Sequence, residues 1–424
     1  MEDFNSFSET GCEIYVIENG GSILNYKKLF IQKNSNLYSK VQKNLGIQGD
    51  IYIYDKNGCR IDCDDDLRHL RNKDCVYVCP KERDFNYEYF LSMYSKKSQL
   101  GQGGYGSVYL LEHKLTKQKV AAKFVDISEF LKKAGDIQKA HREAQLMLKL
   151  THENIVNLET VFILKNQVII FMEYISGGEL KKCIAKRGSP FSEEVAKKIM
   201  KILILAIEHM HSQNLVHRDL KLENILLIDE NDPFSMKIID FGISGLLTKV
   251  GIGEKINAGT IMYCPPEVLT KKKLSSDPKI DIWALGIIMY VLLTKEYPFS
   301  CDSDYKTYQS IIKDSIKFPR RTMLSKEARH LNKALLAKDH IHRYTITDIK
   351  SHPWISKEFE DDEQQMKPNF FEEIESNDSD FWEEEKLSIK PNNRRIVLRD
   401  KTCGLLRPAL RIGATTKLGK LHTS

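Results

Sequence analysis

The residues that could do chemistry gather in one stretch, His217 to Gly242, which reads HRDLKLENILLIDENDPFSMKIIDFG. Asp219 can accept a proton from an attacking hydroxyl, and Lys221, two residues on, can neutralise charge on a transferring phosphoryl group. Asn224 and Asp240 supply hard oxygen ligands, which suit magnesium rather than zinc. A short apolar strand, Ile225 to Ile228, follows Asn224. A turn at Asn231-Asp232-Pro233 and a second apolar strand, Met236 to Ile239, then bring Asp240 back beside Asn224. Folded in this way the hairpin makes one metal-phosphate site. HRD or DFG alone is a common surface or turn tripeptide; their order, each abutting an apolar strand with Lys-x-x-Asn between, is what specifies the chemistry.

The elements that must position this stretch lie on either side. Upstream, Leu100-Gly101-Gln102-Gly103-Gly104-Tyr105-Gly106-Ser107-Val108 carries a G-x-G-x-x-G pattern. A dinucleotide-binding fold needs a helix directly after such a pattern, with an acid such as Asp126 further on. Here strand-like Val108 to Leu111 and Val120 to Val125 follow, so the glycines read as a hairpin laying backbone amides over phosphates. Lys123 lies among apolar residues, where an unpaired ammonium is costly; its expected partner is Glu143, in a helix from His141 to Leu150. Between Val168 and Leu180, VIIFMEYISGGEL turns a buried strand into a glycine-containing connector, as a hinge between two lobes requires. Ser192 caps a long helix, Glu193 to His211, with acids in its first turn. That helix leads directly into the chemical stretch.

Taken together these motifs resemble the eukaryotic protein kinases over residues 94 to 355, and more narrowly the calcium/calmodulin-dependent-kinase-like serine/threonine group. The resemblance implies an α+β bilobal fold, with a β-rich N-lobe and a helical C-lobe, and ATP and Mg2+ as cofactors. It places Leu100, Gly101, Gly103 and Gly106 over the nucleotide, and Lys123, paired with Glu143, on its α- and β-phosphates. Met172 becomes the gatekeeper, the backbone of Glu173 and Ile175 meets the adenine edge, and Val108, Ala121 and Leu226 sandwich the ring. Glu179 reaches the ribose. Asp219 orients the acceptor hydroxyl, Lys221 stabilises the γ-phosphoryl, and Asn224 and Asp240 hold magnesium.

Downstream, Ala258 to Glu267, AGTIMYCPPE, resembles the segment that seats the substrate, with Pro265 replacing the usual Ala. Glu267 is expected to pair with Arg343. Asp281-x-Trp283-x-x-Gly286 matches the helix that supports the catalytic loop from below. HRDLKxxN is the serine/threonine form, and Glu179 and Glu223 match acids that recognise basic residues before the acceptor, which implies a basophilic preference. Arg218 implies a phosphorylated activation loop, because its guanidinium needs an anion. Ile256 stands where that group carries its activating Thr, which leaves Thr248 and Ser244 as candidate phosphosites. The competing reading is a scaffold or pseudokinase that only binds nucleotide while its N-terminal module recruits a cytoskeletal or signalling partner. Intact Lys123, Glu143, Asp219, Asn224 and Asp240 disfavour it.

Residues 12 to 80 read as a separate unit: strands Glu13 to Ile17 and Lys28 to Ile31, a helical segment Leu37 to Leu45, a hairpin Ile51 to Ile61 and a last strand Cys75 to Cys79. That order is a β-grasp, and its Asn-Gly turns look like those of a doublecortin domain, a family that binds tubulin. Ten Lys or Arg against nine Asp or Glu give no basic face for an acidic microtubule, so a ubiquitin-like or PB1-type module stands beside that reading. Residues 81 to 93, polar and aromatic, read as a linker.

The 424 residues, 42% hydrophobic, allow a large core at a net charge of +6. Nine cysteines without regular pairing and an acidic, leaderless start argue for a reducing, cytoplasmic or nuclear setting, with a cytoskeletal one implied by the module. The longest apolar run, Trp283 to Leu293, is too short to span a bilayer, so no membrane partner is expected, and no specific nucleic acid. Residues 356 to 386 hold thirteen acids against three bases, and residues 387 to 424 nine bases against one acid. Such blocks read as an acidic segment and a basic, disordered tail. Within the latter, Arg394-Arg395-Ile396-Val397 resembles a basic substrate with Val in place of the acceptor, which suggests a pseudosubstrate.

Overall fold

The structure, a computed structural model, describes residues 12–20, 26–31, 36–56, 60–61, 70, 72–81, 85–103, 106–127, 144–164, 167–241, 258–271, 277–357 and 404–405. The N-terminal unit runs β1 (Cys12–Glu18), β2 (Lys27–Ile31), α1 (Leu37–Leu45), β3 (Ile51–Tyr54), β4 (Arg60–Ile61) and β5 (Cys75–Pro80). Its sheet has the order β2-β1-β5-β3-β4, with β1 and β5 parallel at the centre and the other pairs antiparallel. This is the β-grasp arrangement. Asn36 caps α1 by accepting from the Ser39 amide at 3.0 Å, and Gly46 ends it at φ 71°, a left-handed position that suits glycine. The strand period of two gives the sheet two apolar faces. Ile14, Val16, Val76 and Val78 pack with Leu37 and Val41 of α1, whereas Ile17, Cys75, Tyr77 and Cys79 face the other way into a second cluster.

The second sheet is built from β6 (Tyr94–Gly103), β7 (Gly106–His113), β8 (Lys119–Asp126), β9 (Leu158–Ile163) and β10 (Gln167–Glu173). Its strands alternate in the same way. Ala121 and Val125 of β8 and Val168, Ile170 and Met172 of β10 join the main core; Val120 and Ala122 of β8 and Ile169 and Phe171 of β10 join the cluster shared with the N-terminal unit. This sheet is therefore covered on both sides, which explains the unbroken apolar run of β10.

The covering material includes residues 85 to 93. Expected as a linker, they instead form α2 (Tyr87–Ser92) and bury Phe85, Phe90 and Met93 between the two sheets. The charged residues Lys81 to Asp84 precede this aromatic run, and the aromatic residues determine the segment's placement. A short helix, α3 (144–149), lies between β8 and β9.

The larger lobe carries α4 (Leu180–Lys186), α5 (Glu193–Ser212), the hairpin β11 (Ile225–Leu227) and β12 (Met236–Ile238), then α6 (Pro266–Lys271), α7 (Lys279–Thr294), α8 (Asp304–Lys313), α9 (Lys326–Leu335), α10 (Ile346–Ser351) and α11 (Pro353–Ser356). Ser192 caps α5 by accepting from the Val195 amide at 3.3 Å. Every residue of α7 from Ile280 to Thr294 is buried. Gly286 makes this possible, since a Cβ there would lie within 2.9 Å of Leu335 and Leu336. No helix among the described residues is long and apolar enough to cross a membrane. In the basic tail, two residues form β13 (Gly404–Leu405), which pairs antiparallel with Ile163 and Phe162 at the open edge of the second sheet.

His113 sits where the two sheets meet. Its Nδ1 accepts from the Thr116 amide at 3.1 Å, a group that can only donate, so the proton of the neutral ring lies on Nε2, which points at the Tyr77 hydroxyl 3.1 Å away. Burial and the nearby Lys117 push its pKa down from 6.5 to about 4. The folded state thus excludes a proton that the unfolded chain accepts, and stability present above pH 6.5 is lost as pH falls toward 4. Urea unfolding is expected to show a loss of roughly 2 kcal/mol between pH 7 and pH 5, reduced in His113→Gln. Equal losses in both chains would contradict this account.

Candidate active site

The catalytic stretch folds as a loop and hairpin. Ile225 pairs with Ile238, Leu226 with Lys237 and Leu227 with Met236, and the Ile239 amide donates to the Asn224 carbonyl at 2.9 Å. Asp240 consequently follows beside Asn224, in the left-handed region at φ 62°. The first strand is one residue shorter than expected, because Ile228 turns outward into a loop held by Asp229 and Asp232, whose carboxylates accept the amides of Asn231 and Phe234 at 2.9 Å.

Before the hairpin, the backbone amides of His217 and Arg218 both donate to the Asp281 carboxylate at 2.9 Å, and the His211 Nε2 lies 2.8 Å from it. Asp281 is wholly buried; that burial opposes ionisation, but the bonds from His211 and the His217 amide prevail and hold its pKa below the ordinary value. Arg218 takes φ 68° as a result of this anchoring geometry. His217, also buried, reaches across to the Ile239 carbonyl at 3.0 Å and ties the loop to the far end of the hairpin.

Asp219 emerges from this loop with the Lys221 ammonium 2.9 Å from its Oδ2. The Asn224 side-chain amide donates to the Asp219 carbonyl at 2.7 Å and its Oδ2 at 3.2 Å, which leaves the Asn224 Oδ1 as the atom it can offer elsewhere. An amide oxygen beside the Asp240 carboxylate is a donor set that fits magnesium, which takes one or two protein oxygens and completes its shell with phosphate and water. From the opposite lobe, Lys123, 6% exposed, places its ammonium 2.7 Å from the Asp240 Oδ2. The expected partner, Glu143, lies outside the described residues, as do Ser244 and Thr248. Asp240 brings a carboxylate to this buried ammonium from the lower lobe.

Val108, Ala121 and Met172, expected around the nucleotide, sit on neighbouring paired strands of the smaller lobe. Ala121 stands in register with Met172 on one side and Leu110 on the other, and Val108 with Lys123. Leu226 is half-buried on the lower hairpin, and Ile175 packs against the main core. Leu100 and Gly101 are exposed on β6, and the β6–β7 hairpin runs as far as the Gly103–Gly106 pair, so a strand does follow the glycines. Gly106 has φ 145°, and a Cβ there would sit 2.0 Å from the Phe124 carbonyl oxygen. No other residue fits. The connector is sewn to the lower lobe by the Gly177 amide to the Leu227 carbonyl at 2.9 Å and the Leu227 amide to the Gly178 carbonyl at 2.8 Å.

Several acids of the cleft already have basic partners that the sequence did not reveal. Glu223 pairs with Lys181 at 3.0 Å, Glu179 with Lys182 at 3.0 Å, and Glu173 with Lys237 at 2.6 Å. Only the Lys182 pairing, three residues from Glu179, had a spacing that could signal it. One oxygen of Glu223, Oε2, is buried without a partner. Beneath the site, Arg343 and Glu267 form the expected pair, bidentate at 2.7 and 2.9 Å, with Arg343 buried. The Tyr263 hydroxyl lies 3.4 Å from the Leu222 amide and 2.9 Å from the Tyr297 hydroxyl, which joins the segment from Ala258 to the catalytic loop.

The family model of the protein kinase domain matches residues 94–355. The chain belongs to the protein kinase family. Myosin light chain kinase A of Dictyostelium discoideum is 34% identical over 266 residues, which span 62% of this chain and 88% of that protein. An Aurora kinase of Candida glabrata is 33% identical over 273 residues, 64% of this chain and 74% of the other. CBL-interacting serine/threonine-protein kinase 16 of Arabidopsis thaliana is 34% identical over 269 residues, 61% of this chain and 56% of its own length. All three alignments are about as long as the protein kinase domain. The sheet-rich smaller lobe and helical larger lobe of this protein kinase meet at the cleft that Lys123 and Asp240 bridge.

Proposed function

We propose that this protein kinase transfers the γ-phosphoryl group of Mg-ATP to Ser or Thr hydroxyls of protein substrates. The observation that supports it best is the convergence of Asp219, Lys221, Asn224 and Asp240 on one loop and hairpin, opposite Lys123. ATP lies between Val108 and Ala121 above and Leu226 below, with its adenine edge at the backbone of Glu173 and Ile175 beyond Met172, and its ribose at Glu179. Lys123 leaves Asp240 for the phosphates. Asn224 and Asp240 would hold magnesium, which would supply charge neutralisation of the phosphates. Asp219 orients the acceptor hydroxyl and takes its proton as the oxygen bonds to the γ-phosphorus and the bond from that phosphorus to the β–γ bridging oxygen breaks, releasing ADP; Lys221 turns from Asp219 to the transferring group. The HRDLKxxN form and a serine/threonine-protein kinase among the relatives support Ser and Thr as acceptors.

Substrates with basic residues before the acceptor suit Glu223, whose unpartnered Oε2 can accept from an Arg or Lys. Lys181 competes for the same carboxylate. The buried Arg218 Nε, also without a partner, supports the need for an anion, which phosphorylated Thr248 or Ser244 would supply. The basic tail around Arg394 and Arg395 is a candidate pseudosubstrate for the same acids. The reading places the enzyme in the cytoplasm, where Mg-ATP is abundant. Should the N-terminal module bind tubulin as doublecortin domains do, it must use surfaces other than the sheet face carrying Tyr77, which is packed against the kinase lobe.

Transfer from labelled Mg-ATP to a basic Ser peptide is expected in the wild type, and Asp219→Asn is expected to lower kcat by roughly a hundredfold or more, the scale of general-base catalysis. A wild type that binds Mg-ATP and transfers nothing would replace this reading with a nucleotide-binding scaffold. Lys181→Ala is expected to lower the KM for the basic peptide by up to about fivefold, the scale of a partly exposed ion pair, and Glu223→Gln to raise it. Unchanged KM in both variants would remove the basophilic assignment.

A further inference from the structure

We infer that the N-terminal β-grasp module is a structural layer of the ATP-binding lobe, holding Lys123 in place, rather than a tethered domain that moves independently. This rests on the reading of Lys123 as the phosphate-holding residue; the packing itself does not.

Phe90 is the centre of the contact. It is fully buried, and its ring meets Tyr77 of the module at 5.3 Å, Phe85 at 6.0 Å, Tyr94 at 5.5 Å, and Phe162 and Phe171 of the kinase sheet at 5.3 and 5.8 Å. A single side chain thus touches the module, the connecting segment and the lobe. Around it, Tyr54 packs on Phe85 at 4.4 Å and Tyr87 on Phe162 at 5.4 Å. Two polar clips fix the arrangement. Asn19 of the module accepts from the Asn86 amide at 2.6 Å and donates to the Asn86 carbonyl at 3.4 Å, and Tyr77 meets His113 of the lobe at 3.1 Å. A domain on a flexible tether exposes a polar surface to its neighbour; here the two surfaces meet through a cluster of buried aromatic rings.

The path to the cleft is one residue long. Along β8, Val120 and Ala122 lie in the cluster under the module, and Ala121 and Lys123 point to the opposite face. A strand fixed through one face is fixed on the other, because alternate side chains share one backbone. Phe171 and Met172 of β10, which pair with Ala122 and Ala121, follow the same rule. Loosening the module therefore frees the strand that aims Lys123 at the phosphates.

Hydrogen exchange of the full-length chain without nucleotide tests the packing: β5 and β9–β10 are expected to open together, with a common protection factor. Phe90→Ala is expected to loosen both and to raise the KM for ATP roughly fivefold with little change in kcat, with Phe90→Leu restoring most of the difference. Asn19→Ala, which removes one polar clip and leaves the aromatic cluster intact, is the milder variant and is expected to shift both readouts in the same direction by less. Independent opening of β5, or a KM for ATP unchanged in Phe90→Ala and Asn19→Ala, would overturn the inference. A chain that transfers no phosphate at all would defeat the kinase reading, while the exchange data would still decide whether the module and lobe are one unit.

Discussion

The shape of the catalytic loop depends on one buried carboxylate. Asp281 is enclosed by protein, and a carboxylate in such a place is tolerable only when its lone pairs are filled. They are filled by the amides of His217 and Arg218 and by His211. Filling them bends the chain, which explains the left-handed Arg218 immediately before Asp219. Because Asp281 belongs to α7, the most deeply buried helix of the larger lobe, the loop takes its position from the least deformable part of the molecule. His217 then carries that position to the end of the hairpin, and so to Asp240.

Above this anchor, the charges of the cleft neutralise one another in pairs: Lys123 with Asp240, Lys221 with Asp219, Lys181 with Glu223, Lys182 with Glu179. The partly buried charges among them, Lys123 with Asp240 and Lys221 with Asp219, are satisfied by pairing, and each pair is also poised to be exchanged. A polyphosphate can take the place of Asp240 at Lys123, and a divalent cation the place of Lys123 at Asp240, without either lobe's backbone being rebuilt. The tie between Lys123 and Asp240 links the lobes across the cleft, and the sewing of Gly177 and Gly178 to Leu227 links them at its back. Gly177 must be glycine, since a Cβ there would lie 2.4 Å from the Leu227 carbonyl oxygen.

Much of this was legible in the sequence because it is local. The hairpin, the strand after the glycine loop and the cap at Ser192 follow from period, turn residues and short-range hydrogen bonds. The Glu267–Arg343 pair, 76 residues apart, was reached only through resemblance. What escaped was tertiary choice. The sequence offers Glu143 as the carboxylate for Lys123 and does not show that Asp240 comes within reach, and the lysines that hold Glu223 and Glu173 lie 42 and 64 residues from them. The segment from Lys81 to Met93 looked solvated because its first four residues are charged or polar. Its aromatic residues, Phe85, Tyr87, Tyr89 and Phe90, were the stronger signal, as was the two-sided apolar run of β10, which predicts a sheet covered on both faces.

The most direct test of the account is the kinetic behaviour of Asp281→Asn, which keeps the size of the side chain and removes the charge that gathers the loop amides. The account predicts a kcat lower by about ten- to a hundredfold, the scale of a buried donor left unmatched, with a KM for ATP close to that of the wild type, because Lys123 and Asp240 are not held by Asp281 directly. A folded Asp281→Asn enzyme with wild-type kcat would contradict it.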